Sequence, residues 1–188
     1  MHPEIAPINE NNSHQENEKK YLIDLDNIPF DLSTFENIQI IQGYLNIDPG
    51  KSETRLRQQT HQNGTIEYFH TIKEGKGENR LETEKTIYQE EFANLWNQKS
   101  ISETIEKTRY LIPYGDFLIE LDVFHQNLNG LVMAEVEFKS PENKKNYITP
   151  IWFGPEVTFD KKYKNQSLVL SRPPLVEADS HIPRYNLD

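Results

Sequence analysis

The chain has 188 residues, 30 of them acidic and 20 basic, for a net charge of −10. That length predicts one domain with room for a sizeable core, and the acidic balance disfavours nucleic acid, whose binding modules are usually basic. With no cysteine, a disulfide framework and a thiolate metal site are excluded. No apolar run reaches membrane-spanning length, and no basic n-region with an apolar stretch opens the chain, so a cytoplasmic location with no membrane partner is expected.

Residues 1–15 contain Pro3, Pro7 and several Asn and read as a flexible N-terminal tail. The first strand is expected over about 16–24. In it Glu16, Glu18 and Lys20 share one face, and Tyr21 and Ile23 the other. Leu32, Phe35 and Ile38 have helical spacing and predict a short helix over about 31–38, capped by Asp31 or Ser33. Ile38 to Ile47 reads as a strand and Asp48-Pro49-Gly50 as a turn. A strand from Thr54 and one from Ile66 to Lys73 flank His61-Gln62-Asn63-Gly64, a hairpin turn of Asn-Gly type. Arg80 to Glu84 is strand-like. Tyr88, Phe92, Leu95 and Trp96 predict an amphipathic helix over about 88–98, packed on the outside. Strands are expected over 102–113, 116–125 and 131–139. Residues 141–160 read as irregular or helical, and a polar, Pro-containing tail closes the chain over 171–188. Between the tails, 16–170 is one domain.

The strands share a period of two in their charges. Lys107 and Arg109 alternate with Thr108 and Tyr110. Glu120 and Asp122 alternate with Ile119, Leu121 and Val123. Glu135 and Glu137 alternate with Ala134, Val136 and Phe138. Arg55 with Arg57, and Arg80 with Glu82 and Glu84, repeat the pattern. One reading is an antiparallel sheet with one wet face. The other is a closed sheet with the charges inside and its edges removed. Sorting into acidic and basic pairs, strand by strand, supports the second. Charges could not stay inside dry and unpaired. Eight acids (Glu16, Glu18, Glu82, Glu84, Glu120, Asp122, Glu135, Glu137) and eight bases (Lys20, Arg55, Arg57, Lys73, Arg80, Lys107, Arg109, Lys139) suit a polyanion with hard divalent cations, Mg²⁺ or Mn²⁺.

Taken in order, these residues resemble the CYTH family, the triphosphate tunnel metalloenzymes. The opening Glu-x-Glu-x-Lys stands as Glu16, Glu18 and Lys20. Gln42-Gly43-Tyr44, Arg55-Leu56-Arg57, Thr71-Ile72-Lys73, Gly75-x-Gly77-x-x-Arg80-x-Glu82-x-Glu84 and Lys107-Thr108-Arg109-Tyr110 follow. Glu120-Leu121-Asp122, Ala134-Glu135-Val136-Glu137 and Val157-Thr158-x-Asp160-x-x-Tyr163-x-Asn165 complete the set. The resemblance covers about 16–170.

The resemblance implies an α+β, mainly β fold: a closed antiparallel eight-stranded β-barrel, the triphosphate tunnel, with external helices. It implies metal ligation by Glu16, Glu18, Glu135 and Glu137, joined by Glu120 and Asp122 directly or through water. Triphosphate would be held by Lys20, Arg55, Arg57, Lys73, Arg80, Lys107 and Arg109, with Glu82 and Glu84 in support. Tyr44 and Lys107 are the candidates to assist the leaving phosphate. The expected activity is divalent-metal-dependent hydrolysis of tripolyphosphate, as in the small bacterial tripolyphosphatases. The alternatives are a class IV adenylate cyclase, a thiamine triphosphatase, or a polyphosphate-binding module without catalysis. The expected partner is a triphosphate-containing small molecule, with a homodimer allowed.

Overall fold

The computed structural model describes residues 17–48, 52–75, 81–101, 103–171 and 173. Among these described residues nine strands form one antiparallel sheet: β1 (Glu18–Ile23), β2 (Glu36–Asp48), β3 (Ser52–His61), β4 (Ile66–Glu74), β5 (Leu81–Thr86), β6 (Ile105–Tyr114), β7 (Phe117–Phe124), β8 (Val132–Glu137) and β9 (Phe153–Glu156). Three short helices accompany it: α1 (Gln89–Trp96), α2 (Pro141–Asn146) and α3 (Asn165–Leu170). The strand order is β5-β4-β3-β2-β6-β7-β8-β1-β9.

This corrects the expectation of a closed eight-stranded barrel. The order has two ends, β5 and β9. The ninth strand lies in the stretch expected to be irregular or helical. It pairs with β1 through Tyr21↔Glu156 and Ile23↔Phe153. In doing so it takes the edge of β1 that β5 would need for closure. Pro155 has no N–H to give to a further strand, which suits an end strand. A Cβ at Gly154 would lie 2.6 Å from the Leu22 carbonyl oxygen, so only glycine lets β9 approach β1 this closely.

The helix expected over 31–38 is a second correction. Only Leu32–Thr34 turns, as a 3₁₀ segment, with the Asp31 carboxylate accepting from the Ser33 N–H at 2.9 Å. From Glu36 the alternation of Ile38 and Ile40 with Asn37 and Gln39 prevails, and β2 begins. The helix expected over 88–98 stands at Gln89–Trp96. The hairpin at 61–64 forms as well, with Gly64 at φ +84° and its N–H donating to the His61 carbonyl at 2.9 Å.

The sheet curls strongly. Leu22 of β1 and Tyr44 of β2, four strands apart in the order, meet in one buried cluster. A register shift between Tyr44 and Asn46 bends β2 there. The convex side is apolar and covered. Tyr21, Ile23, Ile112, Ile119, Leu121 and Val136 pack under an aromatic layer that includes Phe30, Phe35, Tyr147 and Trp152. Helix α1 covers β3 and β4 through Phe92, which stacks with Trp96 at 5.0 Å and meets Tyr68 at 4.8 Å. Gly43 makes room for it, since a Cβ there would come 2.9 Å from the Trp96 ring.

One end of the concave side is apolar too. Leu22, Tyr44, Ile105, Phe124 and Met133 meet Leu128 and Leu131 of the β7–β8 connection and Val157, Tyr163, Leu168 and Val169 of the C-terminal segment. Helix α3 therefore plugs that end, and the concave face becomes a cup with an apolar floor. Burying a large aliphatic side chain contributes about 1.5–3 kcal/mol. This floor anchors six residues with no place in the sheet. Among the described residues no helix is long and apolar enough to cross a membrane.

Candidate active site

Above the floor, alternation sends every second side chain into the cup. Strand β1 supplies Glu18 and Lys20, β8 supplies Glu135 and Glu137, β7 supplies Glu120 and Asp122, and β6 supplies Lys107 and Arg109. Strand β3 supplies Glu53, Arg55 and Arg57, β4 supplies Phe69, Thr71 and Lys73, and β5 supplies Glu82 and Glu84. Register fixes the neighbours: Lys20 faces Glu135, Glu120 faces Glu135, Glu18 faces Glu137, and Arg109 faces Asp122. Glu16 and Arg80 lie outside the described residues.

The wall formed by β6, β7, β8 and β1 is densely paired. Lys107 donates to Asp122 Oδ2 at 2.5 Å, and the Arg109 guanidinium donates to both Asp122 oxygens at 2.7 Å. Arg109 also meets Glu120, and Glu135 at 3.2 Å. Lys20 bridges Glu135 at 2.8 Å and Glu18 at 3.0 Å. Asp122 is 0% exposed and Lys107 3%. Burial alone would lower the Lys20 pKa, but Glu135 and Glu18 outweigh it and hold the ammonium well above its ordinary range. Burial and Arg109 together lower Lys107, against the pull of Asp122. Burial raises Glu120, and the neighbouring Glu135 and Asp122 add to that against Arg109. Glu135 goes the other way: burial opposes its charge, and Lys20, Arg109 and Lys107 together push it far below the usual carboxylate range.

The wall formed by β3, β4 and β5 is looser. Arg55 Nη2 meets Glu84 at 3.2 Å, Glu82 at 3.4 Å and the Thr71 hydroxyl at 3.3 Å. Arg57 Nη2 donates to Glu84 at 2.8 Å, and its guanidinium lies 4.9 Å from the centre of the Phe69 ring. Lys73 pairs with Glu82 at 2.6 Å. Among the described residues, the Nε donors of both Arg55 and Arg57 are buried with no hydrogen-bond partner. Burial and the repulsion of Arg55 pull the Arg57 pKa down to about 10, only partly offset by Glu84. Nothing in a folded chain favours a buried guanidinium with idle donors unless an acceptor arrives.

Tyr44 and Gln42 occupy the boundary between floor and charge. Gln42 Nε2 donates to the Tyr44 hydroxyl at 2.7 Å, and both residues are essentially inaccessible. Burial raises the phenol well above its ordinary pKa, so Tyr44 keeps its proton while its oxygen accepts from Gln42. Glu137 is exposed at the rim. No group of three or more His, Asp or Glu is gathered as a metal cage among the described residues.

Three residues of the cup were absent from the sequence-based set of site residues. Glu53 is 5% exposed and acts on Tyr44 and Arg55. Thr71, fully buried, donates to Glu84 at 2.6 Å. Gln42 orients Tyr44. A signal was present for all three, because each continues the period-two face already carrying Tyr44, Arg55 or Lys73.

The antiparallel sheet is thus rolled into a cup, apolar outside and lined with paired charges and two idle guanidinium donors. No protein-family model matches the chain. It is 42% identical over 158 residues to an inorganic triphosphatase of Nitrosomonas europaea, covering 83% of this chain and 97% of that one. It is 32% identical over 156 residues to an inorganic triphosphatase of Acetivibrio thermocellus, covering 82% and 93%. The crystal structure of an inorganic triphosphatase matches at TM-score 0.60 and 40% identity, covering 85% of this chain and 100% of the other. The chain belongs to the CYTH family of inorganic triphosphatases.

Proposed function

We propose that the cup binds inorganic triphosphate and hydrolyses a phosphoanhydride bond in it. The observation that carries this reading is the pair of buried, unpartnered Nε donors of Arg55 and Arg57 on a face whose relatives are triphosphatases. A guanidinium donates to phosphate oxygens in a fixed fork, and such charge-assisted bonds are the strong ones. Arg55 and Arg57 hold one side of the polyanion. Lys20, Lys73, Lys107 and Arg109 reach it as their carboxylate partners give way. Water attacks one phosphorus, the anhydride P–O bond breaks, and phosphate and pyrophosphate leave. Lys107, buried and with a lowered pKa, donates from Nζ to the departing oxygen, where negative charge grows. Tyr44 supplies a further O–H donor.

The donor chemistry fits a hard divalent cation. Among the described residues named above, the cup carries six bases and eight acids, so added phosphate charge calls for added positive charge. Glu18 faces Glu137 and Glu120 faces Glu135 directly across strands, an arrangement of like charges that disfavours itself. Mg²⁺ or Mn²⁺ would be held by oxygens of Glu18, Glu120, Glu135 and Glu137, with Asp122 and Glu16 as further candidates. Bound there, the ion supplies Lewis-acid stabilisation of phosphoryl charge.

The test is phosphate release from tripolyphosphate, ATP and thiamine triphosphate with Mg²⁺ and with Mn²⁺, cyclic AMP being assayed in the same tubes. Tripolyphosphate as the preferred substrate is the expected result. Cyclic AMP as the main product from ATP overturns it in favour of a cyclase. Tight tripolyphosphate binding without turnover makes the cup a binding module.

A further inference from the structure

Arg57 differs from the other two arginines of the cup in how it is held. Arg109 meets three carboxylates, and Arg55 meets two carboxylates and a hydroxyl. Arg57 has one carboxylate among the described residues, Glu84 at 2.8 Å, and an aromatic ring. That ring is Phe69, directly opposite Arg57 in the β3–β4 register. Phe69 points into the charged cup rather than into the apolar layers, and it belongs to none of the three apolar clusters. Its 4.9 Å approach to the guanidinium carbon is within cation–π range.

The geometry points to Phe69 as a positioning residue for phosphate recognition, acting through Arg57; the inference rests on the triphosphate reading of the cup. The chemistry is a matter of what a guanidinium gives up to be held. A carboxylate at position 69 would fix Arg57 as well, but it would occupy the donor fork and cancel the charge. An aromatic ring attracts the cation through its face and takes no N–H. Arg57 is thus kept in place against the repulsion of Arg55 and Arg109, with Nε still unpartnered. Of the three arginines described in the cup, the one with fewest carboxylate partners is the one seated on a ring. Phe69 therefore sets how much of the Arg57 charge is on offer to an incoming oxyanion.

The test is a double-mutant cycle on tripolyphosphate binding, read by calorimetry with Ca²⁺ and by KM and kcat with Mg²⁺. The variants are Phe69→Leu, Arg57→Ala and the two combined, with Phe69→Trp as the conservative variant. Phe69→Leu is expected to weaken binding about 2- to 30-fold, the range of a partly to fully desolvated cation–π contact. KM should rise with kcat held within a few-fold. In the Arg57→Ala background the same change should cost nothing further, and Phe69→Trp should bind as the wild type does. Equal losses with and without Arg57 would make the ring a packing element and overturn the inference. So would wild-type binding by Phe69→Leu. A loss seen with ATP but not with tripolyphosphate would mean that the ring stacks on a base, which also overturns it. A wild-type chain that neither binds nor cleaves tripolyphosphate is a different failure. It removes the triphosphate reading itself and the inference built on it, whatever the Phe69 variants do.

Discussion

The two walls of the cup use the same residue types to opposite ends. On β6, β7, β8 and β1 the acids and bases are interleaved so closely that Lys107, Arg109 and Lys20 each hold carboxylates at 2.5–3.2 Å. On β3, β4 and β5 the arginines outrun their partners, and two Nε donors are left idle. A buried charge that is fully paired holds the fold, since removing one partner strands the other, and it turns to a ligand only as its partner gives way. A buried cationic donor with nothing to bind is free to take a ligand's oxygen without breaking a pair. The lesson is that charge alone does not mark a binding surface; the mismatch between donors and acceptors does.

The comparison is broken most severely at Asp122, the fully buried carboxylate shared by Lys107 and Arg109. Asp122→Ala leaves two buried cations short of an anion, which costs about 3–5 kcal/mol. At roughly 2–4 °C per kcal/mol for a chain of this size, the thermal midpoint should fall by about 6–20 °C. A midpoint within about 2 °C of wild type would mean that the paired wall does not hold the fold.

Arg57→Ala is the matching cut on the other wall, and its effect should move from stability to binding. Glu84 keeps Arg55 and Thr71 as partners, so the midpoint should shift little. Tripolyphosphate binding should weaken about 10- to 150-fold, the equivalent of one charge-assisted contact of about 1.5–3 kcal/mol. A variant that unfolds early yet binds normally would reverse the assignment of the two walls.

Sequence alternation made most of this legible. The period-two charges of Lys107 with Arg109, Glu120 with Asp122 and Arg55 with Arg57 located three of the seven strands that supply the cup and told inside from outside. Three things were not legible. Strand β9 hides behind Gly154 and Pro155, which usually punctuate rather than extend, and its place is set by the room beside Leu22. Helix α3 is six residues long, too short for its own periodicity to speak, and exists because Leu168 and Val169 fill the floor. The rotation of Leu32 and Phe35 into an aromatic layer, rather than onto a helix, depends on Phe30 and, through it, on Trp152, which is distant in sequence. Pairing was the least legible feature of the site. Lys20, Lys107 and Arg109 look alike to Arg55 and Arg57 until register says which carboxylates they face.

Ligand should be held first by the loose wall, whose idle Nε donors need no carboxylate partner to give way. Tripolyphosphate with Ca²⁺ at about 100 times its dissociation constant adds about 2.7 kcal/mol to the folded state, a rise of roughly 5–11 °C. The measurement is a thermal melt, with sulfate at matched ionic strength as control. Arg55→Ala/Arg57→Ala should lose most of the rise. If it keeps the full rise, the idle donors are not where phosphate binds.

The smallest effect, and the sharpest on the contrast, is the response of each wall to acid. Glu84 of the loose wall is held below the ordinary glutamate value of 4.5: burial opposes its charge, but Arg57, Thr71 and Arg55 outweigh burial. Such a group stabilises the fold above pH 4.5, and that contribution is lost as pH falls through its lowered folded value. Glu120 of the paired wall is raised above 4.5 by burial and by Glu135 and Asp122, against Arg109. Its contribution runs the other way: it is complete below 4.5 and is lost as pH rises through the raised folded value. In the ligand-free chain, Glu120→Gln should therefore flatten the decline in stability on the neutral side of 4.5. Glu84→Gln should flatten the decline on the acid side. Denaturant melts at a series of pH values, without divalent cation, read both slopes. If Glu120→Gln leaves the neutral-side slope as in wild type, Arg109 neutralises Glu120 completely, and the paired wall carries no strain for a cation to relieve.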